Sequence, residues 1–356
     1  MDYDLIQQII LIVGSTFLVV ALLVPFIKKM AFHINAIDHP GKRKVHKKPI
    51  PRLGGIAIFL GFLFGYMFFS GPSGIMNSIL IGSFIIVLVG VIDDIKPLPS
   101  KVKFLGQLAA ALIIVFYGDI LISDIGIAGQ DLVFGIWSYP LTLFFILGCI
   151  NCMNFIDGLD GLASGISAIY FLTIGIIAVW MQKFGLDFVL TFIMLGCVLG
   201  FLLYNFNPAS IFMGDSGSMF LGFIISVVAL LGFKNVTLTS LIVPLIILAI
   251  PILDIIFAII RRALKHEKIS VPDKFHIHHQ LLERKLSQRT VVLIILLVNI
   301  LFAAASLIYL FGDPAIGRIV YGILVFIVLF FVLKTSVIVE DSQWQKIKST
   351  LRRKII

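Results

Sequence analysis

Six aspartates stand at the ends of long apolar runs: Asp93 and Asp94, Asp157 and Asp160, Asp215, and Asp254. Carboxylates are costly at membrane depth and usually serve a function there. Any one of them could cap a helix, but capping takes one group per helix and favours the N-terminal end. Six at one level call for a compensating charge, and hard oxygen donors suit a divalent cation. In 93–103, DDIKPLPSKVK, adjacent acids precede Lys96, Lys101 and Lys103. Neighbouring carboxylates repel unless a cation stands between or beside them. In 151–165, NCMNFIDGLDGLASG, Asp157 and Asp160 lie three apart and share a face if the helix continues, while Gly158 and Gly161 permit a turn. In 205–218, NFNPASIFMGDSGS, Asp215 follows a glycine, with Asn205 and Phe212 close by. Gly-Asp-Ser-Gly also surrounds the nucleophile of trypsin-like proteases, but here it joins two apolar spans, a context foreign to those soluble barrels.

The basic groups suggest an anionic ligand. The segment 259–290 carries Arg261, Arg262 and the string His276-Ile277-His278-His279. Zinc sites usually add cysteine or a spaced carboxylate, and no such set accompanies these histidines, so contact with phosphate is the better match and plain surface histidines the bland one. Lys42, Arg43, Lys44, Lys47, Lys48 and Arg52 read mostly as headgroup-facing, with one or two left to touch a substrate. No G-x-x-x-x-G-K-[ST] loop appears, and nothing points to nucleic acid. Cys149, Cys152 and Cys197 lie in apolar runs and read as small buried hydrophobes.

These residues must be held by membrane spans. The chain of 356 residues is 60% hydrophobic and only 13% charged, against about 25% charged in ordinary soluble domains. Apolar runs place about eleven helices near 5–26, 53–70, 77–92, 104–123, 138–153, 161–180, 188–204, 216–233, 239–258, 291–311 and 318–338. Alternating barrel strands do not fit such uniform runs. The fold expected is an all-α polytopic membrane protein, one domain over 1–356. Of 28 Lys and Arg, 25 fall in 27–52, 93–103, 259–290 and 334–356, which makes these the cytoplasmic segments. That puts the N-terminus outside and the C-terminus inside, and leaves 339–356 as a basic cytoplasmic tail. The loops 27–52, 93–103, 154–160, 205–215 and 259–290 then share the cytoplasmic face and form the expected active site. A transporter would place its polar groups near the midplane on broken helices, which is the competing class.

Taken together, the segments RKVHKKPIPRLGG (43–55), DDIKPLPSKVKFLGQ (93–107), NFIDGLDGLASG (154–165), NPASIFMGDSGS (207–218), PILDIIFAIIRR (251–262) and HIHHQLL (276–282) resemble the polyprenyl-phosphate N-acetylhexosamine-1-phosphate transferases. The resemblance implies a multi-pass bacterial plasma-membrane enzyme. It would move a sugar 1-phosphate from a uridine diphosphate sugar to undecaprenyl phosphate, release UMP and use Mg²⁺, with Mn²⁺ as a substitute. His-Ile-His-His in place of three consecutive histidines, and eleven spans in place of ten, favour the UDP-N-acetylglucosamine branch that starts teichoic acid or O-antigen over the muramoyl-pentapeptide enzyme. The implied partners are UDP-N-acetylglucosamine, undecaprenyl phosphate, membrane lipid and, in a homodimer, a second copy of the chain. Residue by residue, the resemblance implies Mg²⁺ at Asp215 with Asp93 and Asp94 beside metal or phosphate. Asp157 and Asp160 would support the nucleotide, and Asn205 and Phe212 the uracil. His276, His278 and His279 would contact phosphate, with Arg262 beside the substrate. Lys48 is the candidate from the first loop, and Lys101 or Lys103 the phosphate-facing lysine of the second. Direct attack and a two-step route through a phosphorylated aspartate are both open.

Overall fold

The computed structural model describes residues 3–40, 48–127, 130–232, 248–264 and 277–333. The chain, read above as one membrane domain, divides into two compact units, Met1–Leu248 and Ala249–Ile356. The first contains α1 (Tyr3–His33), α2 (Gly54–Phe69), α3 (Gly74–Ile95), α4 (Ser100–Leu112, extended by a π turn over Ile113–Tyr117), α5 (Ser138–Ile156), α6 (Leu162–Trp180), α7 (Leu186–Asn205) and α8 (Gly214–Gly232). Two short antiparallel hairpins add to the helices. The strands β1 (Ile37–Asp38) and β2 (Ile50–Pro51) pair Ile37 with Pro51, and β3 (Asp124–Ile127) and β4 (Gln130–Val133) pair Asp124 with Val133. The second unit holds α9 (Ala249–Leu264), α10 (Ile277–Glu283), α11 (Gln288–Phe311) and α12 (Pro314–Leu333).

Among the described residues eight helices are long and apolar enough to cross a membrane, and Gly54–Phe69 and Pro314–Phe330 are shorter apolar helices. The protein is therefore a multi-pass membrane protein. The expected run 239–258 lies partly outside the described residues, and α9 covers its second half. The expected run 104–123 is shorter as a regular helix: α4 gives way to its π turn at Ile113, and the chain leaves at Gly118.

Helices that are apolar all round are sorted by position. α8 is the central one, with 89% of its apolar window buried, whereas α1 has only 22% and presents Leu11, Leu18, Leu22 and Phe26 outward. Lipid is as apolar as leucine, so helices in it associate through close backbone approach at small residues. A Cβ on Gly90 of α3 would lie 2.3 Å from Ser216 Cα, and one on Gly55 of α2 would lie 2.1 Å from Gly217 N. The first turn of α8 is thus wedged against α2 and α3 at contact distance.

Candidate active site

Four carboxylates of the first unit meet where α3 and α5 end and α8 begins. Helix α3 carries Asp93 and Asp94 in its last turn, and consecutive helical residues point about 100° apart. Asp93 turns towards α4: its Oδ1 accepts from Leu98 N–H at 2.7 Å and its Oδ2 from Lys103 Nζ at 3.3 Å. The same ammonium donates to Asp215 Oδ2. Lys103 therefore bridges Asp93 and Asp215, while Lys101 is exposed, so α4 delivers the later lysine to the cluster.

Asp94 turns the other way and serves α8. Its side chain is wholly buried. Its Oδ1 accepts from Asp215 N–H at 2.8 Å, and its Oδ2 accepts from Ser216 N–H at 3.1 Å and from the Ser216 hydroxyl at 2.7 Å. Those amides belong to the first turn of α8, where they lack intrahelical partners and where the helix dipole favours an anion. Gly214 makes this junction feasible. Its φ is +73°, and a Cβ there would lie 2.1 Å from Arg52 O and 2.4 Å from Asp94 Oδ2.

The first loop reaches the cluster through backbone bonds. Phe212 N–H donates to Pro51 O at 2.8 Å, Gly54 N–H to Phe212 O at 3.0 Å and Gly55 N–H to Met213 O at 2.8 Å. This strip carries Arg52 to 3.9 Å from Asp94 Oδ1 and 3.6 Å from Asp38 Oδ1. Nothing in the composition of the first loop separated Arg52 from its basic neighbours; only the pairing of 51–55 with 212–213 does. Lys48 is exposed at the edge of the described residues.

The double-aspartate segment behaves differently from a continuing helix. α5 stops at Ile156, and Gly161 takes φ +78°, so Asp157 and Asp160 do not share a helical face. Asp160 Oδ2 accepts from Asn207 Nδ2 and Ala209 N–H, both at 3.0 Å, and so ties down the loop before α8. Asp157 stays in the field of the cluster: burial first, then the Asp215 and Asp94 carboxylates, push it up to about 8. Asn205 is buried with its amide engaged. Its Oδ1 accepts from Ser164 Oγ at 2.7 Å and Gly161 N–H at 3.2 Å, and its Nδ2 donates to Ile211 O at 3.1 Å. Phe212 is half-buried.

Asp254 and Arg262 are both buried in α9, and Arg262 Nε has no hydrogen-bond partner among the described residues. His278 and His279 lie in α10, and His276 lies outside the described residues.

Among the described residues no three His, Cys, Asp or Glu side chains form a ready set of metal ligands. The donor chemistry nevertheless fits a hard cation. Asp93 and Asp215 each point an oxygen at one ammonium, and among the described residues Lys103 and Arg52 are the cations paired within the group of Asp93, Asp94, Asp157 and Asp215.

Comparison of the sequence with known proteins gives the class: a transferase. The chain is a member of glycosyl transferase family 4, which it matches over residues 76–233. It is 41% identical over 315 residues to a probable undecaprenyl-phosphate N-acetylglucosaminyl 1-phosphate transferase of Bacillus subtilis, covering 86% of each chain. It is 32% identical over 345 residues to a decaprenyl-phosphate N-acetylglucosaminephosphotransferase of Mycolicibacterium smegmatis, covering 86% of this chain and 84% of the other. It is 29% identical over 299 residues to an undecaprenyl-phosphate alpha-N-acetylglucosaminyl 1-phosphate transferase of Escherichia coli K12, covering 82% and 81%.

Proposed function

We propose that the protein transfers N-acetylglucosamine 1-phosphate from UDP-N-acetylglucosamine to undecaprenyl phosphate, releasing UMP, as the first membrane step of a surface-glycan pathway such as that of teichoic acid. The observation that carries this reading is the Asp93–Lys103–Asp215 cluster at the ends of apolar helices, in a chain whose relatives are named for that reaction. Phosphoryl transfer depends on positioning and on neutralising charge on the phosphate oxygens. Asp215 and Asp93 would hold Mg²⁺, which when bound offsets the charge of the diphosphate and of the departing nucleotide. Lys103 then has both carboxylates as anchors while it faces the phosphates. Arg52 adds a second fixed cation. Asp94, beside metal or phosphate in the resemblance, also holds the first turn of α8 in place and so aims Asp215. Asn205, which the resemblance places at the uracil, likewise ties down the loop before α8. The lipid phosphate has a second pKa near 6 by analogy with other phosphate monoesters. It is mostly ionised at neutral pH, and an oxygen of it can attack the phosphorus bonded to the sugar without a strong base.

The site is read as cytoplasmic, with eleven spans, an outer N-terminus and an inner C-terminus, from the distribution of Lys and Arg. A reporter active only in the cytoplasm, fused after residue 356, gives signal on this reading and stays silent if the span count is even. His276, His278, His279 and Arg262 are read as phosphate contacts. The deciding assay is UMP release by the purified protein from a panel of UDP-sugars. Release from UDP-N-acetylglucosamine that requires both undecaprenyl phosphate and Mg²⁺ supports the proposal. Release without lipid phosphate, or only from the muramoyl-pentapeptide nucleotide, overturns it.

A further inference from the structure

One turn beneath the carboxylates lies a second buried polar layer that the transfer reaction does not use. Gln107 follows Lys103 by four residues in α4, and Met219 follows Asp215 by four in α8. Each lies about 6 Å deeper along its helix. Gln107 is 3% exposed; its Nε2 donates to Met219 Sδ at 3.3 Å, and its Oε1 accepts from Asn151 Nδ2 of α5 at 2.9 Å. Asn151 also donates to Leu147 O at 2.8 Å. Three residues further along α5, Asn154 Nδ2 donates to Ser218 Oγ at 2.9 Å, and that hydroxyl donates to Gly214 O at 3.0 Å. The Lys103–Asp215 contact thus has a parallel rung below it, and α5 is tied to both helices that make it.

We propose that Gln107 and Asn151 are positioning residues whose buried bond fixes the rotation of α4, so that the Lys103 ammonium meets Asp93 and Asp215. The inference rests on the reading of Lys103 and Asp215 as working groups. A lysine on a four-carbon stem adopts many geometries, so its placement depends on the helix beneath it. A turn of α4 by one residue, about 100°, would swing Lys103 out of the cluster. The same turn would break the bonds of Gln107 where no water can replace them. Only one rotation satisfies both amides.

The test combines turnover with proximity. Gln107→Met keeps the volume and removes the amide. It lowers kcat by roughly ten- to hundredfold, the size of effect that a small misplacement produces, and leaves KM for UDP-N-acetylglucosamine within about twofold. Gln107→Asn and Asn151→Gln each lower kcat, because one shortens and the other lengthens the pair. Combined, they restore the span, and turnover returns to within about threefold of the parent. The second arm needs no substrate: K103C and D215C introduced together are bridged in membranes by a short bismaleimide. The three native cysteines are buried. Adding Gln107→Met slows that bridging several-fold, and the swapped amide pair restores it. Unchanged bridging with Gln107→Met, or a swap whose turnover is only the product of the two single changes, overturns the proposal. If the parent protein releases no UMP, the reaction assigned above fails, and the bridging arm still decides the role of the amides.

Discussion

Asp94→Asn separates a carboxylate that builds the site from those that use it. Asp94 receives three hydrogen bonds, at 2.8, 3.1 and 2.7 Å, from Asp215 N–H, Ser216 N–H and the Ser216 hydroxyl, and its side chain is wholly buried. Asparagine keeps one acceptor oxygen. If that oxygen stays with Ser216, the new amide group faces the Asp215 N–H, donor against donor. The loss is one charge-assisted bond, about 1.5–3 kcal/mol, together with a helix cap worth about 1 kcal/mol. A destabilisation of about 2.5–4 kcal/mol corresponds to a fall in Tm of roughly 3–5 °C in a chain of this size. The assay is thermal unfolding in detergent, without substrate or added cation, beside Asp215→Asn. Asp215→Asn leaves Lys103 its bond to Asp93 and removes one of four crowded carboxylates, so that variant shifts Tm by no more than about 2 °C. The reasoning is refuted if Asp94→Asn unfolds at the parent temperature while losing turnover. Asp94 would then act on substrate or cation rather than on α8.

The other expectations concern the same junction. Asp215→Asn inserts normally and lowers UMP release by roughly a hundredfold or more, the scale of losing one charge-stabilising group in a site of this kind; near-normal turnover would remove Asp215 from the mechanism. Gly214→Ala demands a left-handed alanine and a Cβ against Arg52 O and Asp94, so folded protein recovered by size exclusion falls severely. Asp157 binds its proton more tightly folded, with a value of about 8 against 3.8 unfolded, and this favours the fold below about pH 4. The contribution is lost progressively as pH rises from about 4 to about 8, because over that range the native state holds a proton that the unfolded chain has released. The Tm of the cation-free protein therefore declines over that window, and Asp157→Asn flattens the decline.

The acids were legible as a group because their cost in lipid makes each stand out from its apolar run. What each acid does was not, because that depends on facing. Asp93 and Asp94 are neighbours in sequence, yet the helix sends one to Lys103 and the other to the start of α8. The spacing of Asp157 and Asp160 suggested a common helical face, but Gly158 and Gly161 let the chain turn, so Asp160 holds the loop at Asn207. For Asn205 the sequence offered no sign of its bonds with Ser164, Gly161 and Ile211, which depend on how α6 and the loop before α8 meet. Arg52 was hidden among other basic residues, since its significance comes from backbone pairing with a segment some 160 residues away. Spans followed from hydropathy wherever a run was uninterrupted. The hairpins did not, because strands of two to four residues are too short to show a period.

The cap on α8 also sets an order of events during synthesis. Asp94 and the amide of residue 215 are 121 residues apart. At about 5–20 residues per second, roughly 6–24 s pass between the emergence of the acid and that of its partner. Throughout that interval α3 carries a carboxylate without its partner and must keep it at headgroup level, where water can solvate it. Docking of α8 then draws Asp94 inward as its amides arrive. Until that docking a nascent chain has spans but no complete site, so truncations that end before residue 216 accumulate as membrane protein in which Asp93 and Asp160 have their local partners and Asp94 lacks its cap on α8.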